Sequence, residues 1–199
     1  MEKETGLSGA ESLALIQSMI NKAKHQFSDN GRLYLLWGWV VFLCSTTQFI
    51  LINYVKYEKH YLVWMVTWLA FIYQAIYMYK HKRKTNVKTY TDDILGFVWI
   101  TFVVLMFLFG YLFGQIMGDE YYKFINPGFL ALYGMPTFLS GKILRFRPLL
   151  IGGLTCWALS IVSTFVPYNY QLLVLSLGVA IAWIIPGYIL QARYKKQNS

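Results

Sequence analysis

Pro148–Ala192 reads PLLIGGLTCWALSIVSTFVPYNYQLLVLSLGVAIAWIIPGYILQA, forty-five residues without one charged side chain. As a helix it would extend about 68 Å at ~1.5 Å per residue. That is twice the roughly 30 Å hydrocarbon core of a bilayer. Its middle holds Pro167-Tyr168-Asn169-Tyr170-Gln171, a turn signal. The run therefore reads as two membrane spans, 148–166 and 172–192.

Working outward, charged residues bound four more runs: Leu33–Val55, Tyr61–Tyr79, Ile94–Gly118 and Phe124–Gly141. An ion in the bilayer core costs at least about 2.5–3.5 kcal/mol, so each uncharged run reads as one crossing. Composition agrees. The 199 residues are 57% hydrophobic and 14% charged, against roughly 25% charged in a soluble domain, which excludes a water-soluble fold and intrinsic disorder. The expected fold is all-α: an integral membrane bundle of six transmembrane helices in three hairpins, plus an N-terminal amphipathic cytoplasmic helix. The organisation is 1–30 for that helix, 31–192 for the six spans (33–55, 61–79, 94–118, 124–141, 148–166, 172–192) and 193–199 for a basic cytoplasmic tail.

Orientation follows from lysine and arginine. With the N-terminus inside, fifteen of the 18 basic residues fall on inner segments, leaving Lys56, Lys59 and Lys123 outside. Such asymmetry over short loops predicts a multi-pass membrane protein with both termini cytoplasmic. Tyr54, Tyr57, Tyr61, Trp64, Tyr121, Tyr122, Tyr168 and Tyr170 then read as an outer aromatic belt. No secretory signal opens the chain, and Glu2 excludes myristoylation. Cys44 and Cys156 lie within spans and read as small packing residues.

Small residues mark the helix contacts. Gly110, Gly114 and Gly118 repeat every fourth position, as do Gly152, Cys156, Ser160 and Thr164. Such stripes pack helices within a bundle or form a homo-oligomer face. Gly38, Gly96 and Gly152 open the odd spans at separations of 58 and 56, the pattern of a triplicated hairpin or of three hairpins alike by chance. Pro136 and Pro186 each remove a helix hydrogen bond and free the carbonyls of Leu132 and Ala182, to line a site or to be satisfied by a neighbour.

The first thirty residues carry the most legible soluble element. Ser8 and Glu11 have capping-box spacing. Leu13, Ile16, Ile20, Ala23 and Phe27 follow at intervals of three and four, one stripe of a helix. That stripe suits the membrane interface, the inner ends of the bundle, or a partner's groove. Lys80, Lys82, Arg83, Lys84, Lys142, Arg145, Arg147 and Arg193 would ring the inner mouth, facing anionic lipid.

Catalytic chemistry is not legible. His25, His60 and His81 lack metal-ligand spacing, and the adjacent pairs Asp92-Asp93 and Asp119-Glu120 diverge on a helix. No phosphate loop, nucleophile elbow or nucleic-acid motif occurs, so the expectation is no enzyme, no cofactor, no metal and no nucleic acid. No ionisable residue sits within a span, unlike most ion-coupled carriers, and the polar residues Gln48 and Gln74 lie at different depths.

Glu11-Ser12-Leu13 through Lys22-Ala23-Lys24, Leu35-Leu36-Trp37-Gly38-Trp39, Tyr133-Gly134 through Ser140-Gly141, Arg147-Pro148-Leu149 and Ile185-Pro186-Gly187-Tyr188 resemble stretches of a family of small bacterial membrane proteins. The resemblance covers nearly the whole chain and implies an N-terminal helix followed by six spans, with no assigned function. Genes of that type sit beside small winged-helix regulators, which implies a signalling partner. The sequence-based expectation is therefore a non-enzymatic adaptor or accessory protein. It would engage a cytoplasmic protein partner or the lipid surface through its N-terminal helix and basic inner loops. The alternative is a small channel or carrier for a neutral or lipid-like solute.

Overall fold

The computed structural model describes residues 9–82 and 90–198, and all regular structure among them is helical. In chain order the α-helices are α1 (Gly9–Ile50), α2 (Val66–Lys82), α3 (Tyr90–Met117), α4 (Tyr122–Ile143), α5 (Arg147–Ser163), α6 (Tyr168–Val179) and α7 (Ile185–Asn198). Four segments are long and apolar enough to cross a membrane: Gly31–Val55, His60–Lys80, Asp93–Met117 and Tyr168–Arg193.

Helix α1 runs unbroken for 42 residues, about 63 Å at ~1.5 Å per residue. The expected boundary between an N-terminal helix and the first span does not interrupt it. Ser28-Asp29-Asn30-Gly31 looks like a stop in sequence, but Gly31 serves close packing instead. A Cβ there would lie 3.1 Å from Cβ of Leu190 and 3.5 Å from the carbonyl oxygen of Gly187. At its other end α1 widens into a π-turn, Leu51–Val55, and stops at Lys56, which takes a left-handed conformation (φ 54°). The amide of Tyr57 closes the end on the Leu51 carbonyl at 3.0 Å.

The segment α6–α7 is central. A π-turn, Ala180–Ile184, joins the two helices, and Pro186 follows it as the second residue of α7. The π-turn shifts the backbone ladder by one residue just where proline removes a donor. Helix α1 packs along one side of this segment: Gly38 meets Trp183 and Ile184, and Ser45 meets Ser176. The α4–α5 hairpin packs on the other, where a Cβ on Gly152 would lie 2.7 Å from Cα of Ala182. Over half of the best apolar window of Tyr168–Arg193 is buried (56%), against 6% for His60–Lys80 and 11% for Asp93–Met117. Helix α2 leans on α1, and α3 leans on α4.

Helix α4 has 22 residues and α5 has 17. They form the closest pair in the molecule. Gly134 and Gly153 each face the other's carbonyl oxygen at 3.0 and 2.9 Å from a Cβ position, and Gly141 sits on the backbone of Leu149 and Leu150. That face explains why α4 is less apolar than its neighbours. Its small and polar residues Asn126, Gly134, Thr137, Ser140 and Gly141 are buried against protein, so they do not meet lipid.

The turn expected at Pro167–Gln171 is shorter than its sequence suggests. Pro167 takes the N-cap position (ψ 146°) and α6 begins at Tyr168. The amides of Tyr170 and Gln171 both bond to the Pro167 carbonyl, at 2.9 and 3.1 Å. Tyr168 to Gln171 are therefore helical.

Candidate functional site

Two ends of the bundle can be distinguished. The basic end carries the α4–α5 turn and the exit of α7, and the aromatic end carries His60, Trp64 and Tyr168. Helix α1 is antiparallel to α6–α7, with Gly31 against Gly187 and Ser45 against Ser176. Its first part, residues 9–30, therefore leaves the bundle at the basic end as about 33 Å of helix. Leu13 on this arm is 67% exposed, and Ala14 and Gln17 are exposed beside it. Ile16, Ile20, Ala23 and Phe27 share the helical backbone and stand in register with Leu13 on one face. Their side chains, and Ser8 of the expected capping box, lie outside the described residues.

Four of the expected basic residues come together. Lys142 closes α4, Arg145 and Arg147 flank the turn into α5, and all three are exposed. Phe146 between the two arginines is buried, and its amide bonds to the Gly141 carbonyl at 2.9 Å. The guanidinium of Arg193, from α7, lies 5.1 Å above the Phe146 ring. Cation and ring attract through the ring quadrupole, so Phe146 gathers the charges of α4, α5 and α7 at one corner. Its only sequence signal was an aromatic framed by two arginines. Lys80 ends α2 exposed; Lys82 belongs to the helix without a described side chain, and Arg83 and Lys84 fall outside the described residues.

The expected glycine stripe faces away from the bundle. A Cβ at Gly110, Gly114 or Gly118 would meet nothing within 4 Å, so among the described residues these three seat no other helix. Gly118 has a different role, since its φ of +53° ends α3 in a conformation that favours glycine. Of the prolines, Pro136 and Pro186 are both fully buried. The Ala182 carbonyl, freed by Pro186, lies against Gly152, 3.2 Å from a Cβ position there. A neighbouring backbone covers it.

Buried polar groups tie the helices to one another. At the aromatic end Gln48 is 4% exposed. Its Oε1 accepts from Trp64 Nε1 at 2.6 Å, and its Nε2 contacts His60 Nδ1 at 3.0 Å and donates to Tyr168 Oη at 3.3 Å. Deeper, Ser45 and Thr46 meet Ser176 at 2.6 and 3.1 Å, and Trp183 donates to Thr137 at 2.8 Å. Towards the basic end Trp37 donates to Gln74 and stacks edge-on against Phe71. Sequence reading placed Gln48 and Gln74 at their depths but gave neither a partner. The aromatic spacing of Trp64 and Trp37 was the available signal.

These contacts hold helices; they do not assemble reactive groups. Among the described residues no three of His, Cys, Asp and Glu cluster as metal ligands, and Cys44 and Cys156 are free and buried. Outside the spans, Lys123 pairs with Glu120 at 2.9 Å, which raises the lysine above its ordinary range. The axis of the bundle is filled by Leu130, Leu149, Leu172, Leu175 and Val179, each at most 1% exposed. The two clearest surface grooves lie between α1 and α2 and between α3 and α4, and both are lined mainly by apolar side chains.

No family model, no curated protein and no solved structure is similar to this chain.

Proposed function

We propose that this chain is a non-enzymatic membrane protein of six spans that presents its N-terminal arm and basic corner to the cytoplasm. There it engages a cytoplasmic protein partner or the adjoining lipid surface. The observation that carries the reading is the unbroken helix α1, in which the apolar part Gly31–Val55 continues into an arm with Leu13 exposed. An apolar side chain on a helix held away from its own bundle is available to another surface. The gathering of Lys142, Arg145, Arg147 and Arg193 at the same end supports an acidic or anionic counterpart. In this reading α4 and α5 complete the six spans, with both termini at the basic, cytoplasmic end of a bacterial inner membrane protein.

The filled axis favours this reading over transport of a neutral solute. The test changes Leu13, Ile16 and Ile20 to Asp together. The full chain, in lipid nanodiscs, is compared with the parent for bound proteins and for sedimentation of the arm with anionic vesicles. Loss of both kinds of engagement with the helical content unchanged is the expected result. Engagement that survives the triple change removes the arm from the function.

A further inference from the structure

A groove of about 390 Å³ runs between α1 and α2 at the basic end, open along one side. Its lining on α1 recurs at Arg32, Leu36, Trp39 and Leu43, a helical stripe about 16 Å long at ~1.5 Å per residue. Tyr73 and Tyr77 form the α2 wall, their rings near parallel with centroids 6.4 Å apart. The opposite wall is Trp39, whose indole N–H donates to Tyr188 Oη on α7 at 3.2 Å. The Trp37–Gln74 bond and the Trp37–Phe71 contact join α1 to α2 and set their spacing. The groove is thus a slot with anchored walls, apolar along its length. Arg32, its one charged lining residue, sits next to Gly31, where the apolar span begins.

We propose that this slot binds one anionic glycerophospholipid, with the phosphate on Arg32 and an acyl chain along Leu36 and Leu43. The assignment is independent of the arm and the basic corner. A guanidinium at the edge of the apolar span meets phosphate with paired, charge-assisted hydrogen bonds. Among the described residues no carboxylate lines the slot. An acyl chain suits the rest, because the lining is leucine and aromatic and the open side faces outward. Helix α2, which packs chiefly on α1, gains a further contact when the slot is filled.

The test is native mass spectrometry of the full chain in a non-ionic detergent. Phosphatidylglycerol and phosphatidylcholine with identical acyl chains are titrated in competition. One retained lipid with about a fivefold preference for phosphatidylglycerol is expected, the effect of one arginine beside a headgroup of net negative charge, since the choline of phosphatidylcholine offsets the phosphate that both lipids carry. Arg32→Gln should bring the two lipids to parity while still retaining one. Leu36→Trp, which fills the slot without altering charge, should lose the retained lipid of either kind. Circular dichroism confirms that each variant is folded; if Leu36→Trp is not, Leu43→Phe replaces it. Parity in the parent chain, a preference that survives Arg32→Gln, or retention unchanged by the filling variant would each overturn the assignment.

Discussion

The indole N–H of Trp64 donates to Oε1 of Gln48 at 2.6 Å, and that bond decides which way a buried amide faces. Indole nitrogen is a donor only, so the Gln48 NH2 group must point the other way, to Tyr168 Oη and His60 Nδ1. His60 Nδ1 is then an acceptor, and a neutral ring must carry its proton on Nε2. One side chain of α1 thereby holds the loop before α2 and the start of α6.

Nitrogen-15 chemical shifts of the two ring atoms of His60 should report the Nε2–H tautomer. In Gln48→Leu the tautomer preference should vanish and stability fall by about 1–3 kcal/mol, as three hydrogen-bonded groups lose their partner. A Gln48→Leu protein that melts with the parent would show the amide to be dispensable.

Glycines that look alike in sequence should respond in opposite directions. Gly114→Ala adds a methyl into open space and gains helix propensity, so stability should hold or rise by up to about 1 kcal/mol. Gly152→Ala drives a methyl to 2.7 Å from Cα of Ala182 and should cost about 1–3 kcal/mol through overpacking. Thermal unfolding of the two variants in one detergent makes the comparison, and equal shifts would refute it.

Among the described residues, Lys56 and Arg145 are the non-glycine residues with positive φ, at 54° and 50°. A left-handed residue with a Cβ costs roughly 1–2 kcal/mol. Lys56→Gly and Arg145→Gly should each raise the unfolding temperature, and a fall in both would mean that the basic side chains outweigh the backbone.

Gln171 and Asn126 are both 4% exposed but are differently employed. Gln171 Nε2 donates to the carbonyls of Lys123 and Val166, at 3.2 and 3.1 Å, while its Oε1 finds no donor among the described residues. Asn126 Nδ2 finds no acceptor among the described residues. Gln171→Leu should therefore destabilise by about 1–3 kcal/mol, whereas Asn126→Leu should be neutral or stabilising. Chemical denaturation separates them, and the reverse order would sink the argument.

Much of the fold was legible because charge marks the limits of apolar helix. Leu33–Val55, Tyr61–Tyr79 and Ile94–Gly118 differ from Gly31–Val55, His60–Lys80 and Asp93–Met117 by at most two residues at either end. Phe124–Gly141 reads in sequence as a crossing like the others, yet α4 is not among the four most apolar segments, since the small and polar residues it buries against protein lower its hydropathy. Spacing revealed that Gly110, Gly114 and Gly118 share a face, but not that the face looks outward. The division at 30/31 is not a break in α1, because Gly31 at that point lets two helices touch. At the candidate site, periodicity put Leu13 on a stripe, while Phe146 and the Gln48 contacts needed three dimensions.

The π-turn at Ala180–Ile184 carries one residue more than an α-helical path. One residue is about 100° of rotation, so α7 leaves the turn out of phase with α6. Ala182 faces α5, while Gly187 and Leu190, past the turn, face α1. Deleting a single residue within the turn would restore an even helix and swing Gly187 away from Gly31. The insertion thus acts as a phase shifter, letting one continuous rod show each of its two neighbours the small residues that neighbour requires.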